Sequence, residues 1–352
     1  MPSRRNFIKT GILATSLLPF SANAKGESGE YPAKLIKPPA IKFGDTFGLI
    51  TPASPLHETH RLLIEAKEKM EGLGFKVKFG KNVFAKKGYL AGSVKERLDD
   101  IHDMFQDNDV QAIITLRGGY GSGQLLPYLD YNLIAKHPKI LIGYSDITFL
   151  INAIYKKTGL VTYHGPVALS TFTDYTKKYF LKTLMETEPV GEIEDAPYEE
   201  NFQTTNRIWS FRKGTAEGKL IGGNLTLLQS SLGTPFEFET KDSILFIEEV
   251  GERPYDLDRM LNQFKQAGKF DQCRGVIFDK MEKVLPDSDG PGYDDSLTVE
   301  EVIEAVFKDF DFPVSLGFSI GHLKDKPTLP LGIKARFDAD LGKLSLLEAA
   351  VS

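Results

Sequence analysis

The stretch Ile140-Leu141-Ile142-Gly143-Tyr144-Ser145-Asp146, running into Ile147-Thr148-Phe149-Leu150-Ile151-Asn152-Ala153-Ile154, decides how the chain is read. A short apolar run followed by a tight turn and then helical spacing is a buried strand that hands over to a helix. Small flanking groups at such a turn expose a serine Oγ at the sheet edge, and the free N–H groups of the following helix face any developing oxyanion. Ser145 is therefore a candidate nucleophile.

Working outward, the same strand-to-helix alternation recurs on both sides. Phe47 to Ile50 and Phe75 to Lys78 read as strands, 58–73 and 93–107 as helices, and Val110 to Leu116 as a buried strand. Val161 to His164 reads as one more strand. This alternation predicts an α/β fold: a mostly parallel, Rossmann-like or flavodoxin-like sheet over 41–170 with helices on both faces. Ligand sites in such sheets lie beyond the carboxyl ends of the strands, where both Arg117-Gly118-Gly119-Tyr120-Gly121 and the Ser145 turn sit. Residues 171–215, where Thr171 to Tyr175 starts a helix-like stretch and Glu192 to Asn206 is acidic, polar and poorly periodic, read as the linker region. Beyond it, 216–352 reads as a mixed α/β domain with strands at 244–247, 275–278 and 314–320, helices at 255–267 and 298–309, and a hairpin about Leu341-Gly342.

The chain has 352 residues, enough for two domains, and its net charge of -5 carries no nucleic-acid footprint. A single cysteine, Cys273, excludes an internal disulfide framework and a cysteine-rich metal site, and its place before the strand at 275–278 marks it as structural. The first 24 residues read as an address. Arg4-Arg5 between Ser3 and Phe7, an apolar run over 11–20 too short to span a bilayer, and Ala22-Asn23-Ala24 form a twin-arginine export signal, with an ordinary secretory signal as the alternative. Either places the mature protein in the periplasm or cell envelope. Residues 25–40 read as a tether.

A serine nucleophile needs a base, and the base a carboxylate to hold its tautomer. Of the histidines, His102 and His137 read as solvated and His57 and His60 as surface residues near a helix start. His164 and His322, each at a strand end, remain as equal candidates. Glu248-Glu249 closes the apolar run 244–247, where a carboxylate has to be paired; a salt bridge to Arg253 or Arg259 is the plain alternative to a catalytic part. In Arg117 to Gly123, Gly119, Gly121 and Gly123 fail the spacing of a dinucleotide loop, and no phosphate-loop lysine follows, so no cofactor is implied. Such a loop brings backbone N–H groups close to a carbonyl or carboxylate. Gly222-Gly223-Asn224 reads as a turn that also lines the cleft.

Arg117-Gly118-Gly119-Tyr120-Gly121, Gly143-Tyr144-Ser145-Asp146, His164-Gly165-Pro166, Gly218 to Asn224, Ile247-Glu248-Glu249 and Gly321-His322, in this order, resemble the LD-carboxypeptidase family, serine peptidases that trim murein tetrapeptides and include the microcin C immunity peptidases. The resemblance spans about Phe47 to Leu331. It implies Ser145 as nucleophile, Glu248 as acid and His322 as base, with the N–H of Asp146 and one from Gly118 or Gly119 as oxyanion hole. Glu249 stands where the family often has Asp. The resemblance further implies a metal-free homodimer with the site between the two domains. For substrate contact, Arg117, Tyr120 and Asn224 are the candidates, Arg117 for the terminal carboxylate. Two other readings compete: an immunity-type peptidase acting on aminoacyl-adenylate analogues, for which the sole tryptophan, Trp209, supplies no clear stacking wall, and a non-catalytic periplasmic solute-binding protein, which requires no Ser, Glu, His alignment.

Overall fold

Parallel strands buried on both faces and joined by helices organise a computed structural model that describes residues 34–197, 207–286 and 296–352. The export signal and residues 25–33 of the tether lie outside them. The first sheet contains β1 (Thr46–Ile50), β2 (Lys76–Phe79), β3 (Ala112–Thr115), β4 (Ile140–Gly143) and β5 (Tyr163–His164). The second is assembled from β6 (Gly191–Ile193), β7 (Trp209–Arg212), β8 (Thr215–Asn224), β9 (Ser243–Glu248), β10 (Gly275–Asp279), β11 (Val314–Phe318), β13 (Lys334–Asp338) and β14 (Lys343–Leu346), while β12 (Leu329–Pro330) belongs to the first.

The order of the first sheet is β2-β1-β3-β4-β5-β12, parallel throughout except at β12. That is the flavodoxin-type order, whose switch point falls between β1 and β3. In the second sheet β8, β9, β10 and β11 run parallel, with antiparallel β13, β14 and β6 on one side and β7 on the other. Strands β3, β4, β9, β10 and β11 are buried at every position, as their unbroken apolar runs require.

Residues 31–352 pack as one compact unit in which the two sheets share a core. A single apolar cluster runs from Ile113 and Leu141 of the first sheet, through Leu150, Ile151 and Ile154, to Leu220, Ile221, Leu245 and Phe246 of the second. The helix-like start of the 171–215 stretch is a helix in the structure, Asp174–Met185. The same stretch supplies both edge strands, β6 and β7, of the second sheet. Edge strands bury few side chains, so their apolar signal is weak. The tether also ends earlier than expected, since Ile36 is bridged to Leu160 and its N–H donates to Gly159 O.

A closer contact fixes how the sheets meet. The helix Thr148–Thr158, which follows Ser145, lies against the end of β8. Asn152 Nδ2 donates to Gly222 O at 3.0 Å, and the Asn224 N–H donates to Thr148 Oγ1 at 3.1 Å. A Cβ on Gly222 would meet Phe246 O at 1.9 Å, and one on Gly223 would meet Thr148 Cγ2 at 2.6 Å. Gly222-Gly223 is thus strand, not turn, and its glycines are there for close approach.

Candidate active site

Three strand ends of the first sheet build one wall of the site. Ser145 opens a short 3-10 turn after β4 with φ 63, a conformation that non-glycine residues rarely adopt. The turn presses Gly118 against it: a Cβ on Gly118 would lie 2.9 Å from Ser145 Cβ, 3.1 Å from its Oγ and 3.3 Å from the Asp146 N. Backbone atoms of Gly118 and Asp146 therefore flank the serine hydroxyl, as an oxyanion pocket requires.

Asp146 contributes more than its backbone. Its buried carboxylate accepts the N–H of Gly121 at 3.1 Å and of Ser122 at 2.8 Å, and Ser122 Oγ donates to Asp146 O at 2.6 Å. The serine turn and the glycine loop are thereby one hydrogen-bonded body. Arg97 secures the loop from below. Fully buried, its Nη1 donates to Pro52 O and Gly121 O at 2.9 and 2.8 Å, and its Nη2 to Gln124 Oε1 at 2.9 Å. On the third strand end, Ser54 Oγ accepts the Tyr120 N–H at 3.0 Å. Ser54 and Arg97 were absent from the sequence reading, although Pro52-Ala53-Ser54-Pro55 follows β1 where a switch-point loop belongs.

The second sheet supplies the other wall. Glu248 ends β9 fully buried, and its Oε2 lies 2.8 Å from His322 Nδ1. Gly321, at φ 72, leaves that carboxylate room: a Cβ there would sit 2.4 Å from Glu248 Oε2. His322 is partly exposed, and its ring packs edge-on against Tyr144 at 4.9 Å, next to Ser145 in the chain. No hydrogen bond joins Ser145 Oγ to His322 among the described residues. Such contacts often tighten only with substrate in place.

His164, the other strand-end histidine, is elsewhere engaged. It is buried between Tyr144 and Phe246, with neither ring nitrogen hydrogen-bonded among the described residues, and burial pulls its pKa down to about 4. A neutral imidazole walled in by rings packs but does not reach the cleft. Lys326 is also buried, with Nζ 5.4 Å over the Tyr144 ring, and burial lowers its pKa to about 8. Of the surface histidines, His102 is tied down, accepting the Asp130 N–H at 3.0 Å.

The salt-bridge alternative for Glu248-Glu249 fails, because Arg253 and Arg259 both pair with Asp256. Glu249 instead accepts from Asn224 Nδ2 at 3.1 Å and from the Thr226 N–H at 2.9 Å, and burial raises its pKa. The expectation that Asn224 faces substrate meets a buried side chain engaged at both ends, since its Oδ1 also caps the helix Leu225–Ser230. Arg117 is half-buried with Nη1 3.3 Å from Pro55 O, and Tyr120 is exposed at the rim, edge-on to Tyr89 at 5.5 Å. Trp209 lies on the edge strand β7 under Arg207. Cys273 is buried, its thiol pushed up to about 12.

A half-buried serine on a strained strand-to-helix turn, backbone N–H groups beside it and a carboxylate-held histidine against the neighbouring ring define a serine hydrolase. Residues 47–165 match the LD-carboxypeptidase N-terminal domain and residues 217–337 the LD-carboxypeptidase C-terminal domain. The chain is 41% identical over 324 residues to the probable murein peptide carboxypeptidase of Bacillus subtilis strain 168, an alignment covering 90% of this chain and 95% of that protein. Among solved structures it is similar to the microcin C7 self immunity protein MccF in its wild-type state, with TM-score 0.80, 28% identity, and 90% and 100% of the two chains covered. It is also similar to a muramoyltetrapeptide carboxypeptidase from Oxalobacter formigenes, with TM-score 0.71, 28% identity, and 86% and 97% covered. The chain belongs to the LD-carboxypeptidase family and is a serine-type carboxypeptidase.

Proposed function

We propose that this enzyme releases the terminal D-alanine from murein tetrapeptides through an acyl-enzyme on Ser145. The observation that carries the reading is the 2.8 Å pair of Glu248 and His322 stationed against Tyr144, beside the serine turn. With Nδ1 held by Glu248, His322 presents Nε2 as the base. It takes the Ser145 proton as Oγ bonds to the amide carbon before D-alanine, and the carbonyl oxygen becomes an oxyanion facing the N–H groups of Asp146 and the Gly118-Gly119 segment. The imidazolium returns that proton to the leaving nitrogen, and the C–N bond breaks. Water, deprotonated by the same His322, then cleaves the ester and regenerates the hydroxyl.

The substrate class rests on the relatives' names, and Arg117, half-buried on the loop after β3, is the side chain we assign to the terminal carboxylate. The similarity to MccF makes an immunity-type substrate the second reading, and D-alanine release from a tetrapeptide decides between the two. The twin-arginine pattern of Arg4-Arg5 supports export to the periplasm, with envelope-derived peptides as the substrate pool. A homodimer is the assembly the family resemblance implies, and sedimentation of the purified protein reads it.

The test is free D-alanine after incubation of the mature protein with a murein tetrapeptide. Wild type is expected to release it and Ser145→Ala to abolish release at unchanged thermal stability. Well-folded wild type that releases none removes the proposal, and an active Ser145→Ala removes the nucleophile.

A further inference from the structure

Glu248 has a neighbour that the triad does not use. In the parallel pairing of β9 and β10, Ile247 lies opposite Phe278, so the next residues along are Glu248 and Asp279. Asp279 is fully buried. The register of β10 against β11 slips at this residue, passing from Phe278 opposite Leu316 to Asp279 opposite Phe318, with Gly317 at φ 112 taking up the extra step. Such irregularities re-aim a side chain. Here Asp279 Oδ1 turns back to accept the N–H of Met281 at 2.8 Å and of Glu249 at 3.4 Å.

Two oxygens are left over. Asp279 Oδ2 and Glu248 Oε1 are both buried, and neither has a hydrogen-bond partner among the described residues. Ionising two buried carboxylates at neighbouring strand ends is costly, and one proton shared between them would give both orphan oxygens a partner. We propose that Asp279 is a positioning residue of the active site, held as a neutral carboxylic acid whose Oδ2 hydrogen is donated to Oε1 of Glu248, so that Glu248 keeps the charge and aims Oε2 at His322. The proposal rests on the Ser145, Glu248, His322 reading. Burial and the adjacent Glu248 hold the Asp279 carboxyl well above the usual carboxylate range, in keeping with this assignment. The other titratable groups facing the pair are Glu249 just after β9, Tyr144 after β4, His164 at the end of β5, and His322 and Lys326 between β11 and β12.

Asp279→Asn keeps a neutral group with an acceptor for the two N–H groups and a donor for Glu248. Asp279→Ala keeps neither. The experiment follows kcat and KM on a tetrapeptide across pH, together with the titration of His322 by 15N NMR in the substrate-free enzyme. Asp279→Ala is expected to lower kcat about 10- to 100-fold at little-changed KM, the size found when a supporting partner is removed. Its His322 titration moves to higher pH, because Glu248 stripped of its donor attracts the imidazolium more strongly. Asp279→Asn is expected to restore kcat to within about threefold of wild type and to leave the titration in place.

A shift of His322 to lower pH in Asp279→Asn marks the loss of a negative charge and overturns the proposal. So does wild-type behaviour of Asp279→Ala, or an Asn variant as impaired as Ala. Should Asp279→Ala not fold, the Asn variant decides alone. The NMR arm needs no substrate, so failure to release D-alanine would remove the functional reading while Asp279 is still tested.

Discussion

Gly118→Ala puts one methyl group where the oxyanion is proposed to form. The new Cβ would lie 2.9 Å from Ser145 Cβ and 3.3 Å from the Asp146 N, whereas carbon atoms in ordinary contact sit about 3.5–4.0 Å apart. Relief therefore takes a displacement of about 0.6–1 Å, either of the serine turn or of the glycine loop. Neither yields alone, since the Asp146 carboxylate ties one to the other through Gly121 and Ser122. A misplacement of about 1 Å costs roughly 100-fold in rate. Blocking one oxyanion donor costs about 10²–10³-fold, or about 2.7–4 kcal/mol of transition-state stabilisation. The methyl is expected to do the second and part of the first, so kcat should fall at least about 100-fold while KM changes little. Overpacking is expected to cost about 1–3 kcal/mol of stability, which urea denaturation measures alongside D-alanine release. A Gly118→Ala enzyme that folds and retains more than about a tenth of wild-type kcat refutes the assignment of the oxyanion pocket to this wall.

Two further outcomes follow from the same geometry. Asp146→Ala leaves the buried N–H groups of Gly121 and Ser122 without their acceptor, at about 1–3 kcal/mol each. A lowered urea midpoint and a loss of activity are expected together, and an unchanged midpoint would contradict the tie. His164 supplies a pH dependence. With its native pKa lowered to about 4 and an ordinary value of about 6.5, the unfolded chain takes up a proton that the native one refuses. Its contribution to stability is therefore lost as pH falls from about 6.5 to about 4, by about 3 kcal/mol in all. Asp279 and Glu249, both raised, act in the opposite direction. The quantity to measure is accordingly the stability of wild type minus that of His164→Phe, which should drop through this window. A flat difference would mean that His164 is not held neutral.

The α/β alternation was legible wherever a strand is buried on both faces, because its apolar run is continuous. β3, β4, β9, β10 and β11 were all read within a few residues. β8 was not, since Gly222 and Gly223 look like turn residues, and the neighbours that require them, Phe246 O of β9 for Gly222 and Thr148 for Gly223, are distant in the chain. The choice between His164 and His322 was equally beyond position alone. It depends on which strand end stands beside Glu248, a contact separated by 74 residues in the chain. Asp146 and Arg97 illustrate the same limit, because acceptors and donors that brace a loop carry no motif. Asp279 had no signal at all beyond an acid at the end of an apolar strand.

β12 is two residues long, yet it belongs to the chain's second half and pairs with β5 of the first sheet. The segment reaching it from β11 is the one that carries His322. The base is thus strung between the sheets like a strap fastened at both ends, with the 2.8 Å contact to Glu248 at mid-span. A cut after Phe318 would leave the nucleophile wall with all of its hydrogen bonds and strip it of its base. Splitting this protein into separately expressed halves at the 171–215 stretch would carry away the edge strand of the half that stays. Reconstituted activity in such a split enzyme would then report strand exchange between the fragments, a more stringent event than their association.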